Sequence, residues 1–100
     1  MKLYLSGAIT GTDDYMYRFS MAEKSLEAEH TIINPAKVNA QLPSDTNYED
    51  YMKMSFCMLD MCDSICMLKD WEKSCGSNRE LGYAIAKKKT VFYECELINE

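Results

Sequence analysis

The chain has 100 residues, enough for one domain with a single core and too few for two. Its formal net charge is −5, and its eleven Lys and Arg are spread rather than clustered. That balance argues against a nucleic-acid polymer as partner, because such affinity rests on neutralising many phosphates at once. The first element is a strand over residues 2–6 (K-L-Y-L-S), ended by Gly7 and followed by a flexible loop over residues 7–11. Thr12 or Asp13 is placed to cap the next helix. In that helix Tyr15, Phe19, Ala22 and Leu26 recur at four-, three- and four-residue steps, one apolar face. Residues 31–33 form a second short strand, stopped by Asn34-Pro35, and the polar stretch 36–46 reads as a long loop. Tyr48, Met52, Ser55, Leu59 and Cys62 mark one face of a second long helix. Residues 64–68 form a buried strand, 69–77 a polar loop, 78–88 a third helix and 90–93 a last strand. The basic run Lys87-Lys88-Lys89 closes the third helix, where cations meet the macrodipole favourably. Residues 94–100 form a tail with no expected structure.

Strand and helix alternate throughout, which implies an α/β fold, a flavodoxin- or Rossmann-like three-layer sandwich. Its parallel sheet has four to five strands in the order 2-1-3-4, with helices on both faces. Ligands of such sheets lie beyond the carboxyl ends of the strands, where the order reverses. Here that point falls between the first and third strands, so loops 7–11 and 69–77 converge on it. Five Cys, at 57, 62, 66, 75 and 95, form no C-x-x-C, and His30 is the only His. Cys57, Cys62 and Cys66 fall in apolar segments and read as core packing rather than metal ligands, as do many of the eight Met. The odd Cys count, with no signal peptide apparent, points to a reducing cytoplasm. No apolar stretch approaches the ~20 residues that span a membrane.

The stretch L-K-D-W-E-K-S-C-G-S-N-R-E-L-G, from Leu68 to Gly82, carries the chemistry. Its polar loop narrows to Ser74-Cys75-Gly76-Ser77 just before a helix. Free N–H groups there carry positive partial charge and suit one small phosphate. Glu80 then has two readings. Ser77-Asn78-Arg79-Glu80 fits the capping box S-x-x-E, which makes Glu80 structural. Alternatively Glu80 is a reactive carboxylate beside the anchored ligand. Trp71 is either a partly buried anchor or a platform for a nucleobase. No G-x-x-x-x-G-K pattern occurs, so an ATPase site is not indicated.

Two segments resemble the nucleoside 2-deoxyribosyltransferase-like superfamily, including its small phage and bacterial members and its 2′-deoxynucleoside 5′-phosphate N-hydrolases. Leu3-Tyr4-Leu5-Ser6-Gly7-Ala8-Ile9-Thr10-Gly11 is similar to the family's first strand and glycine loop. Ser74-Cys75-Gly76-Ser77-Asn78-Arg79-Glu80-Leu81-Gly82-Tyr83-Ala84 is similar to its serine-glycine-glutamate-glycine helix start. With the order of elements, the resemblance extends over residues 1–100 as one such domain. It implies Glu80 as nucleophile on the anomeric carbon of a nucleoside sugar, oriented by Tyr4, with no cofactor and no metal. It implies substrate contacts from Gly7, Ala8, Ile9, Gly11, Ser55, Trp71, Ser74, Gly76 and Ser77. Ser74 stands where relatives acting on free nucleosides carry an acid, which favours a 5′-phosphate.

The chain departs from this family at Ser55, eight residues before Asp63, where an acid usually assists the sugar and leaving base. Asp60 is no substitute, because five helical residues turn it by about 500°, roughly 140° from Ser55. Active relatives also borrow a polar residue from a neighbouring subunit, and Asn99 is the tail's only non-acidic polar candidate for that place. The resemblance therefore implies cleavage or transfer at the N-glycosidic bond of a nucleoside 5′-monophosphate. A nucleotide-binding protein that sequesters a nucleotide or an ADP-ribose-like signal is the alternative. A purely structural, oligomer-forming domain is a third reading. A homo-oligomer is expected from the apolar residues on several faces of the second long helix.

Overall fold

A computed structural model describes residues 1–9 and 13–98. Strands β1 (Lys2–Ser6), β2 (Thr31–Ile33), β3 (Ser64–Met67) and β4 (Thr90–Tyr93) form one sheet in the order β2-β1-β3-β4. Every pairing is parallel, and Tyr4 sits opposite Ile33 on one side and Ile65 on the other. Helices α1 (Tyr15–Leu26), α2 (Pro35–Asn39), α3 (Tyr48–Asp60), α4 (Cys75–Ala86) and α5 (Glu94–Leu97) complete the chain. The α/β class, the parallel sheet and the strand order are those expected from the alternation of elements.

The central strands are covered on both faces, so successive side chains enter two different cores. Leu3, Leu5, Cys66 and Leu68 pack with Phe19, Ala22 and Leu26 of α1. Tyr4, Ile65 and Met67 pack with Met58 and Leu59 of α3, Cys62 and Ala84 of α4. The period of two therefore aims Tyr4, and with it Ser6, at the α3–α4 face.

Several local expectations are corrected. The stretch taken as a loop after β2 begins with α2: Pro35 sits in its first turn, and the Asn34 side chain accepts from the Ala36 N–H. A proline with preset φ behind a capping Asn is a helix start, and this signal outweighed the polar composition. Helix α4 begins three residues earlier than expected, because Ser74 caps it and accepts from the Ser77 N–H at 3.1 Å. Asp14, not Asp13, is the cap residue of α1 and makes no side-chain capping bond; Thr12 lies outside the described residues. Trp71–Lys73 forms a short 3-10 turn within the loop before α4, and the tail contains α5. Cys62 and Cys66 are buried, but Cys57 is exposed on the outer side of α3.

Gly7 ends β1 where the chain passes between two core side chains. A Cβ added there would meet Leu68 Cβ at 3.2 Å and Phe19 Cζ at 3.3 Å. Overpacking of this kind costs about 1–3 kcal/mol. Gly7→Val should lower stability by that amount in urea unfolding, and an unchanged midpoint would show that the passage is looser than these contacts imply.

Candidate active site

Helix α4 follows β3, and β3 lies beside β1, so α4 crosses the sheet face toward which Tyr4 and Ser6 point. Ser77, Glu80 and Ala84 form its buried stripe at three- and four-residue steps. Tyr4 Oη donates to Glu80 Oε2 at 2.7 Å, and Ser6 Oγ donates to Glu80 Oε1 at 2.6 Å. Each carboxylate oxygen is thus held from β1. Ser55, on the buried face of α3, adds a third hydroxyl that acts on both Tyr4 and Glu80. Glu80 is only 7% exposed, and Tyr4 and Ser6 are more deeply buried still. The capping-box reading of Glu80 is overturned: Ser74 is the cap, and the carboxylate turns inward to β1 rather than back to the helix end.

Burial pushes the Glu80 carboxyl above its ordinary value, and the hydrogen bonds from Ser6, Tyr4 and Ser55 oppose that shift in decreasing order. Burial first, and the Glu80 charge second, hold the Tyr4 phenol well above its ordinary range. Tyr4 therefore keeps its proton at neutral pH and serves as a donor.

Glu80 lies at the floor of a cleft of about 540 Å³, within the usual size of small-ligand sites. Gly7, Ile9, Ser55, Ser74, Gly76 and Ser77 line it, together with Tyr15, Asn39, Tyr48, Tyr51, Met52 and Lys73. Three residues separate Ser77 from Glu80, a rise of about 4.5 Å on one helix face. Ser77 is 1% exposed, and its Oγ has no hydrogen-bond partner among the described residues. Asn39 Oδ1, from α2, shares that condition on the same cleft. Orphaned buried polar atoms cost about 1–3 kcal/mol each, and two of them on one cleft mark places for ligand polar groups. At Gly76 an added Cβ would meet Met52 Sδ, Tyr48 Oη and Ser74 Oγ only at 3.6–3.8 Å. Internal packing therefore does not require glycine there, and the bare backbone opens onto the cleft. The rim is tied across α3 and α4 by Arg79, bonded to both Glu49 oxygens at 3.0 and 3.2 Å and set over the Tyr48 ring.

Not every expected residue arrives at this cleft. Ala8 is not part of its lining, and Gly11 and Asn99 lie outside the described residues. Of the two readings of Trp71, the structure places it as a partly buried anchor: it packs against the core under α3 and α4, lines a second, open groove with Tyr17, Arg18 and Glu94, and its ring lies 6.2 Å from that of Tyr93. The turn after β3 carries it there, with Asp70 at φ 68° and the Lys69 N–H bonded to Glu94. Ser6, Asn39 and Tyr51 carry no functional signal of their own in the sequence, and Tyr48 reads there only as part of the apolar face of the second long helix. Ser6 was legible in principle, since a strand places residues i and i+2 on one face. Asn39 was hidden in the stretch taken as loop. Among the described residues no group of His, Cys, Asp and Glu could hold a metal ion, and no helix is long and apolar enough to cross a membrane.

The four-stranded parallel sheet with helices on both faces is a Rossmann-like sandwich that is shared with a solved structure. A solved 2-deoxyribosyltransferase from the psychrotolerant bacterium Bacillus psychrosaccharolyticus, a biocatalyst for nucleoside synthesis, matches with TM-score 0.75 at 20% identity. The match covers 93% of this chain and 71% of that one. By sequence, residues 1–93 match the family described as Domain of unknown function (DUF4406), and the chain belongs to that family. No curated protein matches the chain.

Because Glu80 takes up a proton more readily in the folded chain, the folded state binds more protons above the ordinary carboxyl value of 4.5. Stability contributed by this group is present below that value and is lost as pH rises through the folded one. Glu80→Gln removes the effect. Thermal unfolding from pH ~4 to ~8 should show wild type losing stability relative to the variant as pH rises. Parallel curves would contradict the buried-carboxylate assignment.

Proposed function

We propose that this protein cleaves or transfers the N-glycosidic bond of a nucleoside 5′-monophosphate. Supporting it most directly is the Glu80 carboxylate, buried on the floor of a cleft and held by Tyr4 and Ser6. Glu80 is the nucleophile: one oxygen bonds to the anomeric carbon as the bond to the base breaks, and the electron pair leaves with the base nitrogen. Water or an acceptor base then displaces the carboxylate. Tyr4 and Ser6 fix the rotamer of Glu80, so little orientation is lost on reaching the transition state. The α4 N-terminus, with Ser74, Gly76 and the unpartnered Ser77 hydroxyl, receives the 5′-phosphate. Gly7 and Ile9 close one side of the sugar, and Asn39 offers its carboxamide to the base.

A sequestering protein that binds a nucleotide without turnover is the second reading. It is favoured by Ser55, a hydroxyl where relatives carry an acid, and by the burial that holds Glu80 toward its protonated form. Assembly into a homo-oligomer belongs to the same proposal, supported by exposed apolar residues such as Tyr48, Met61 and Ile85 on and beside α3 and α4.

Calorimetric titration should show a nucleoside 5′-monophosphate binding roughly ten- to a hundredfold more tightly than its nucleoside, as charge-assisted hydrogen bonds provide. Chromatography should show base release by wild type and none by Glu80→Gln, whose binding survives because the amide keeps the shape and loses the attacking charge. Equal affinity for both ligands would remove the phosphate site. Saturable binding without base release by wild type would establish the sequestering reading instead.

A further inference from the structure

A buried charge is normally paired with an opposite one, yet the hydrogen-bond partners of Glu80 are two neutral hydroxyls, Tyr4 and Ser6, with the Ser55 hydroxyl as a further neutral influence. Among the described residues no ion pair is made to Glu80. Lys73 is the one Lys or Arg on the cleft lining. Its side chain is largely solvent-exposed, lies 3.8 Å from Asp70 and stands beside Ser74 at the phosphate end. The countercharge that would keep Glu80 ionised is therefore not supplied at the cleft floor by any described residue. Three tyrosines, Tyr15, Tyr48 and Tyr51, line the same cleft, and aromatic faces attract cations. Glu80 is also the only carboxylate on the described lining, which contains no imidazole; its other proton donors, the tyrosine phenols, the Cys75 thiol and the Lys73 ammonium, are all weaker acids. A neutral purine or pyrimidine leaves with an extra electron pair and needs a proton from an acid. A base that is already cationic at its glycosidic nitrogen does not.

We propose that the cleft takes a 5′-phosphorylated nucleoside whose base is a pyridinium or similarly cationic ring, and that Glu80 is the counter-ion of that ring. The inference rests on the reading of the cleft as a nucleotide site and deepens it by naming the substrate class. The ligand's own charge completes the pair that the fold leaves open, and it restores the ionised form that nucleophilic attack requires. As the Glu80–C1′ bond forms and the C1′–N bond breaks, the electron pair neutralises the ring, and the base departs without a proton. Water then attacks C1′, expels the Glu80 carboxylate and releases its proton to solvent.

The experiment compares nicotinamide mononucleotide with its reduced dihydropyridine form, which keeps the phosphate, sugar and substituents but carries an uncharged ring. Calorimetry on wild type should show at least tenfold tighter binding of the oxidised form, and Glu80→Gln should erase the preference. Equal affinities on wild type, which need no variant to interpret, would overturn the proposal, as would a preference retained in Glu80→Gln. Should wild type release adenine from AMP in a Glu80-dependent way and show no preference for the charged ring, the present inference fails and the broader function stands. Should the charged ring be preferred without any base release, the inference holds and the nucleophile assignment fails.

Discussion

One carboxylate crossing from helix to sheet organises this molecule. Glu80 leaves α4, is enclosed between α3 and β1, and presents both oxygens to hydroxyls two residues apart on one strand. Burying an ion is costly unless hydrogen bonds replace its water, so the surrounding elements are tightly specified. Strand β1 must run beside β3 for α4 to pass over Tyr4 and Ser6. The Ser74 cap sets the helical phase that turns Ser77 and Glu80 to the same side. Gly7 must end the strand without a side chain, so that the next segment can turn past Leu68 and Phe19.

The same enclosure creates a functional tension. A dry environment strengthens every electrostatic contact made to a ligand, but it also favours the protonated carboxyl, which cannot attack carbon. The three hydroxyls counter the second effect only in part, since the net direction of the Glu80 shift remains upward. For the proposed reaction, the outcome then depends on what enters the cleft, and a cationic ring would remove the conflict. Ser55 belongs to this balance. Where an acid would compete with Glu80 for charge, a serine is neutral, and from the buried face of α3 its hydroxyl favours the ionised forms of both Tyr4 and Glu80.

The sheet order was legible because it follows from a strong signal, the alternation of elements, whereas the pairing of Tyr4 with Glu80 came only from the family resemblance of the first strand and the α4 start. The phase of α4 was not legible, because Ser74 and Ser77 are both good caps, and only packing against β1 and α3 chose between them. Helix α2 was masked by composition, although Asn34-Pro35 carried the start signal, and with it went Asn39. Ser6 escaped because a serine in a strand has no chemistry until the opposing helix brings a carboxylate to it. Trp71 is close to Ser74 in sequence, but after the left-handed Asp70 its ring packs partly buried against the Tyr4–Met67–Ala84 core and borders a second groove rather than the cleft.

The central claim is that Glu80, held by Tyr4 and Ser6, bonds covalently to a sugar. The most direct measurement is mass spectrometry of peptides from protein incubated with a 2′-fluoro-2′-deoxy nucleoside 5′-monophosphate. The fluorine slows hydrolysis of a glycosyl-enzyme ester more than it prevents its formation, because it disfavours the oxocarbenium-like transition state of both steps while a good leaving base aids the first. The account predicts a sugar-phosphate mass increment on the peptide containing Glu80, absent in Glu80→Gln. Base release proceeding with Glu80 unmodified, or an adduct on another residue, would contradict it.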